Sequence, residues 1–330
     1  MKKTFSFIIP TYNSEKTLRY TLDSIKNQNY DKNKIECLII DGGSKDNTLK
    51  IASEYEFVKI LSNPEKLPEH AKKIGAKNAT GKYIIKMDSD EELLDKNSLK
   101  KRETYFKKYG DTYVLTLDEL KTEKNYKKKY GIVGKYINIC GDPFSFFMYR
   151  PMAKRTETFA KNKTNDSLYL FNDFDFPIID GGTSAFDRSF CEEHSIDYIN
   201  NISHISDLIL ERKPTVICIK GDDVLHRSDG HFTNYLSKLK YRVINNVFGK
   251  EQAGFSLRKK SNNIKKYLFP FYVLFLIPVL IDSISLCIKY KDPTMFLHTV
   301  YSFITLFFIV WFMFLKIIKK QPKSLNYGGK

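Results

Sequence analysis

Short apolar runs and helix-period segments take turns along residues 4–95. Residues 4–10, "TFSFIIP", predict a strand. Behind them Leu18, Leu22 and Ile25 recur at i, i+4 and i+7, one face of a helix that Ser14 is placed to cap. Residues 35–40, "IECLII", predict a buried strand that stops at Asp41, and "GGSKDNT" reads as the loop opening the next helix. "FVKILSN" predicts a third strand, "EHAKKIGAKNAT" a helix stopped by Gly81, and "KYIIKM" a fourth strand ending at Asp88. Alternation of this kind is the pattern of an α/β fold with a mostly parallel central sheet. Three of the strands stop at polar groups: Thr11 to Asn13, Asp41 and Asp88. Open α/β sheets bind ligands outside the carboxyl ends of their strands, so a site is expected there.

Past residue 115 the pattern changes. Residues 121–135 are basic and aromatic, "CGDPFSFFMYRPMAKR" reads as a loop, and "FDFPIIDGGTSAFDRS" as a strand and turn. "SHISDLILERK" starts a helix, "TVICIKGDDVLH" is a strand with a hairpin-like break, and "NYLSKLKYRVINNVF" is an amphipathic helix. Residues 268–288 and 294–315 are each about as long as a membrane-spanning helix, which needs roughly 20 apolar residues. They predict a C-terminal pair of transmembrane helices, with buried core helices or an interfacial re-entrant hairpin as the other readings. The first segment contains Asp282, Pro270 and Pro278. An intramembrane carboxylate is costly, so Asp282 should face a partner, a headgroup or a cavity.

Charge reinforces the membrane reading. The chain of 330 residues carries 54 Lys and Arg against 38 Asp and Glu, a net +16. Twelve basic and two acidic residues lie from Arg258 to Lys330, so +10 of that excess flanks the apolar segments. A basic tail there points to a membrane surface and away from nucleic acid as partner. The positive-inside rule puts both ends of the pair in the cytoplasm and residues 290–293 outside, although Lys289 and Lys291 oppose that. The five cysteines are scattered and never form a C-x-x-C pair, which disfavours a zinc site or disulfide framework and suggests a reducing compartment. The apolar run before Pro10 is too short for a signal-peptide core.

The acids raise the question of chemistry. D-x-D occurs at Asp88–Asp90, behind a buried strand, and at Asp173–Asp175, in an aromatic loop with Pro177. The first pair either caps a helix beginning "EELL" or presents oxygen to a hard cation that holds a phosphorylated ligand.

Taken in order, "FSFIIPTYNSEKTLRYTLDSI", "IECLIIDGGSKDNT" and "AKKIGAKNATGKYIIKMDSDE" resemble family 2 glycosyltransferases of the GT-A fold, closely over residues 1–95 and loosely over residues 96–225. The resemblance implies a GT-A type single domain. Its nucleotide-sugar-binding half would be residues 1–115 and its acceptor-binding half residues 116–257, followed by a membrane anchor at residues 258–330. It implies transfer from a nucleotide diphosphate sugar with Mg²⁺ or Mn²⁺. Pro10, Thr11, Tyr12 and Asn13 would wrap the base, Asp41 would bind base or ribose, and Asp88 would sit near ribose and metal. Asp90 would ligate the metal directly, with His226 a further ligand, and Gly181 and Gly182 would form the family's glycine turn.

Two departures matter. Lys72 and Lys73 stand where the family often has Arg-Asn, keeping charge for phosphate but losing a bidentate contact. Ser206 and Asp207 stand where an acidic pair is common, which leaves Asp207 as general base, with a helix N-cap as its other reading. The Q-x-x-R-W sequence of processive synthases is absent, and the single Trp311 lies in the second apolar segment, so one sugar per acceptor is expected.

The implied function is inverting transfer of a single sugar to a hydroxyl of a lipid-linked or envelope glycan, at the cytoplasmic face of the cell membrane. Two other readings stand beside it. One is transfer to a polyprenyl phosphate, an acceptor already ionised and needing no base. The other is a non-catalytic membrane protein that keeps a nucleotide-sugar-binding domain. No G-x-G-x-x-G follows the first strand, which argues against a dinucleotide oxidoreductase.

Overall fold

The computed structural model describes residues 3–110, 112–115, 120–151, 168–171, 183–228, 230–248, 264–320 and 322. The chain divides into two compact units, Met1–Lys121 with Thr156–His226, and Thr122–Arg155 with Arg227–Lys330.

The first unit is mixed α/β. Its strands are β1 (Phe5–Thr11), β2 (Ile35–Asp41), β3 (Val58–Ser62), β4 (Tyr83–Lys86), β5 (Glu91–Leu93), β6 (Thr112–Leu115), β7 (Leu168–Phe171), β8 (Ala185–Asp187), β9 (Thr215–Ile219) and β10 (Val224–His226). Eight of them form one sheet in the order β3-β2-β1-β4-β8-β6-β9-β7, and β5 pairs with β10 apart from it. The run β3-β2-β1-β4 is parallel throughout, as is β6 with β9. β8 lies antiparallel between β4 and β6, and β7 is antiparallel to β9. Phe5, Phe7 and Ile9 of β1 meet Leu18, Leu22 and Ile25 from the helix Leu18–Lys26, all with no exposed surface. On the other face Ile8 and Ile40 meet the helix Pro68–Asn78 at Gly75, where a Cβ would come within 2.4 Å of Ile8 Cγ2. That close approach is why a glycine stands there. Each buried Ile or Phe contributes about 1.5–3 kcal/mol through burial, so these two layers carry much of the stability.

Several local expectations change. Ser14 is not the cap of the first helix. Its carbonyl accepts the Thr17 and Leu18 amides in a turn, and its hydroxyl meets Ser89 Oγ at 2.9 Å. "EELL" is not a helix but contains β5, because β10 pairs with it, so Asp88 and Asp90 cap no helix there. β9 and β10 belong to different sheets and make no hairpin. The stretch read as a loop contains the helix Pro143–Tyr149, with Asp142 as N-cap accepting the Ser145 amide at 2.8 Å and Pro143 opening the first turn.

The second unit holds the apolar helices. The C-terminal pair of transmembrane helices is corrected in part. Among the described residues one helix, Pro293–Ile317, is long and apolar enough to cross a membrane. The earlier segment is broken into Ile264–Leu274 and Ile277–Tyr290, bent by 87°. The break falls at Leu276, whose φ is 61°, with Pro278 in the first turn of the second piece. Asp282 has the partner it required: Arg150 Nη1 lies at 2.6 Å, and Tyr272 donates to the same oxygen at 2.9 Å.

Candidate functional site

The parallel register of β1 and β2 sets Pro10 opposite Ile40 and Thr11 opposite Asp41, so two strand ends and their loops are side by side. Asp41 is buried, and all four of its acceptor positions are filled. Oδ1 takes Thr11 Oγ1 at 3.1 Å and Ser44 Oγ at 2.5 Å. Oδ2 takes the amides of Gly43 and Ser44, each at 2.8 Å. Gly43 at φ 86° allows the loop to curl back in this way. Asn13, itself at φ 50°, laces the loop after β1 to the same place: its amide donates to Ser44 Oγ at 2.8 Å and its side chain accepts from Lys45 N at 2.9 Å. Tyr12 stays about half exposed, its ring beside Gly42.

Beyond β4, residues 88–91 form a tight turn. The Asp88 amide donates to Glu91 Oε2 at 2.8 Å, and the Glu91 amide to Asp88 O at 3.2 Å. Thr21 Oγ1 holds Ser89 O at 3.0 Å, so the turn is fixed from its middle as well. β10 then runs antiparallel to β5 with His226 opposite Glu91, and His226 Nε2 lies 3.4 Å from Asp90 Oδ2. The result is a turn of crowded acid. Burial pushes Glu91 up to about 8, with neighbouring Asp88 adding to the rise. Burial alone would lower His226, but Asp90, Glu91 and Asp88 outweigh it and hold the imidazole above its ordinary value. Groups perturbed this way cluster at functional sites, and these lie past the end of a parallel strand, the edge where open sheets bind ligands.

A buried ion pair supports the turn from behind. Arg102, on the helix Ser98–Tyr109, reaches Asp222 Oδ2 through Nε at 2.8 Å, and both residues are almost fully buried. The same guanidinium donates to the carbonyl of Thr183, whose φ is 64°. Removing one partner of such a pair typically costs about 3–5 kcal/mol. Asp222 lies just before β10, so the pair fixes how His226 arrives at Asp90. Glu91 and this ion pair are the parts that sequence reasoning did not single out.

The remaining expected residues are placed as follows. Lys72 is half-buried and Lys73 exposed on the helix Pro68–Asn78, where Lys73 faces Asp197, a carboxylate held low chiefly by hydrogen bonds from Asn200. Asp207 is the third residue of the helix Ile205–Leu210, inside its first turn and not at the cap position. Its side chain, like Gly181 and Gly182, lies outside the described residues.

The mostly parallel sheet, with interlaced loops and a crowded acid turn at its carboxyl edge, has the architecture of the GT-A fold. Residues 6–194 match the family model described as glycosyl transferase family 2, and the chain belongs to that family and is a glycosyltransferase. It is 25% identical over 315 residues to a Methanococcus voltae enzyme, the dolichyl N-acetyl-alpha-D-glucosaminyl phosphate 3-beta-D-2,3-diacetamido-2,3-dideoxy-beta-D-glucuronosyltransferase, covering 87% of this chain and 89% of that one. It is 30% identical over 116 residues to the poly(ribitol-phosphate) beta-N-acetylglucosaminyltransferase TarS of Staphylococcus aureus, covering 34% of this chain and 20% of that enzyme. Among solved structures, the mannosyltransferase PcManGT of Pyrobaculum calidifontis, in complex with GDP-Man and Mn²⁺, superposes with a TM-score of 0.56 at 15% identity. That match covers 94% of this chain and 88% of that one, a likeness of fold.

Proposed function

We propose that the protein transfers one sugar, with inversion, from a nucleotide diphosphate sugar to a hydroxyl of a lipid-linked or envelope glycan, at the cytoplasmic face of a membrane and with Mg²⁺ or Mn²⁺. The observation that carries this reading is the Asp90–His226 approach of 3.4 Å inside a turn that already holds Asp88 and Glu91. Among the described residues no three His, Cys, Asp or Glu side chains close into a complete metal cage. An incomplete donor set is what this chemistry calls for. Mg²⁺-type ions are commonly bound through one or two carboxylates plus substrate phosphates, and a neutral imidazole can add a further donor. A carboxylate and an imidazole this close fit one shared hard cation, which also relieves the acid crowding around Glu91. When bound, the cation would neutralise charge on the departing nucleoside diphosphate.

The chain's own residues do the rest. Pro10, Thr11, Tyr12 and Asn13, with the loop that Asp41 organises, would enclose the base. Asp88 would face the ribose, and Lys72 and Lys73 would supply charge toward phosphate. Gly181 and Gly182 would let backbone approach the sugar. Asp207 would take the proton from the acceptor hydroxyl as it attacks the face opposite the leaving group, so that a single displacement inverts the anomeric centre. The Methanococcus voltae relative, named for a dolichyl-phosphate-linked acceptor, supports a lipid-linked acceptor here. The apolar C-terminal helices support membrane attachment.

The test uses the purified full chain with a panel of nucleotide sugars and Mn²⁺, following release of nucleoside diphosphate. Turnover of at least one donor, lost in EDTA and in Asp90→Ala, is expected. Turnover that ignores both treatments overturns the reading.

A further inference from the structure

The candidate spanning helix has two unlike sides. Along Leu297–Ile317, His298, Ser302 and Thr305 are buried. His298 sits between two tyrosine hydroxyls, Tyr136 at Nδ1 and Tyr272 at Nε2, each at 2.9 Å. Tyr272 donates onward to Asp282, which pairs with Arg150. The opposite side is wholly apolar and exposed: Phe303, Phe307, Val310, Trp311, Phe314 and Ile317. Polar groups on the protein-covered flank and apolar groups on the exposed flank put lipid on one side of the helix only, as for a helix in an interface or one packed against others, so the choice between the two falls to its neighbours.

Both ends of this helix are held by segments of water-soluble character. At its start, Asp292 is buried with Lys127 Nζ at 2.9 Å, and Lys135 Nζ donates to Tyr290 O at 2.7 Å. At its finish, Lys316 Nζ donates to Val247 O at 2.5 Å. In between, the helix Phe232–Phe248 runs alongside it. Tyr235 meets Tyr301 with ring centroids 4.7 Å apart, and Val243 and Ile244 cluster with Phe312. That companion carries Lys238, Lys240 and Arg242, the last two exposed. If Leu297–Ile317 crossed a bilayer, these cations would be drawn into hydrocarbon with it, a costly placement.

We infer that the apolar helices of the second unit cross no bilayer but lie in the plane of one leaflet, making the enzyme monotopic. The inference rests on the membrane attachment proposed above. The 87° bend fits it, because Ile264–Leu274 and Ile277–Tyr290 turn within the surface instead of continuing through. Exposed Ile281 and Ile288 extend the apolar face. Lys265 and Lys266 before it, and Lys316, Lys319 and Lys320 at its end, suit anionic headgroups.

The test reads sidedness, not activity, so it stands apart from the catalytic proposal. Full-length protein carrying Cys287→Ser, whose other native cysteines are buried, receives one reporter at a time: Lys107→Cys, Lys291→Cys or Lys319→Cys. Sealed membrane vesicles of known orientation are treated with an impermeant maleimide, before and after permeabilisation. The in-plane arrangement predicts that all three reporters behave alike, protected in one orientation and reactive in the other. Opposite behaviour at Lys291→Cys alone means a hairpin of two spans and overturns the inference. Opposite behaviour at Lys319→Cys alone means a single span and overturns it equally. A chain that fails to float with vesicles of phosphatidylglycerol, and is dimeric without detergent, assigns the apolar face to a second copy and overturns it as well.

Discussion

Asp41 closes β2 and Asp90 lies just past the end of β4, both at the carboxyl edge of the same parallel strands, yet their surroundings are opposite. Around Asp41 every acceptor position meets an N–H or O–H of the chain itself. Asp90 has an imidazole at 3.4 Å, and the same turn crowds Asp88 and Glu91 about that imidazole. A carboxylate whose acceptor positions are met by its own loop holds that loop's shape. A carboxylate crowded by acids gains most from a cation. The two acids look alike in sequence, and their partners give them different tasks in the proposal: Asp41 orders its loop, and Asp90 is the proposed cation ligand.

Four substitutions would break or sharpen that contrast. Asp90→Ala is expected to cost the most, about 10³-fold in turnover, since a cation stabilising departing phosphate supplies several kcal/mol. Its thermal unfolding should stay at the parent value, and a large fall in unfolding temperature would contradict the ligand role. Asp207→Asn is expected to lower kcat by about 10²-fold or more with nucleotide affinity little changed. Near-parent turnover would remove the base and favour an acceptor that is already ionised. His226→Gln should raise the Mn²⁺ concentration needed for half-maximal rate by about 10-fold, the low end of what metal-site partners contribute. An unchanged Mn²⁺ requirement would return His226 to a structural role. Asp41→Ala inverts the pattern, with a stability loss of about 1–3 kcal/mol from stranded donors in the loop. Urea denaturation measures it, and an unaltered midpoint would mean that the loop holds without the carboxylate.

Much of the donor side was legible because its signals are local. β1, β2, β3 and β4 and the polar groups at their ends follow from short runs and their flanks, and the structure keeps them. The meeting of His226 with Asp90 was legible only as a family pattern, because it depends on β5 pairing with a strand far along the chain. For the same reason "EELL", rich in good helix formers, leaves a helix start open as one of two readings, although pairing makes part of it a strand. Arg102 is one more cation on a Lys-rich helix, and nothing in the helix announces that Asp222 will bury it. Hydropathy marked both C-terminal segments as apolar but is blind to the backbone break at Leu276 that bends the first of them.

The central claim, that Asp90 and His226 hold a cation only together with donor phosphate, is tested most directly by calorimetric titration of a nucleoside diphosphate into the full-length protein. The titration is run with Mn²⁺ and with EDTA, for the parent chain and for Asp90→Ala. The account predicts that Mn²⁺ tightens binding about tenfold or more in the parent, a coupling of about 1.4 kcal/mol, and that Asp90→Ala abolishes the difference. Equal affinity in Mn²⁺ and EDTA for the parent, or a Mn²⁺ effect that survives Asp90→Ala, would contradict it.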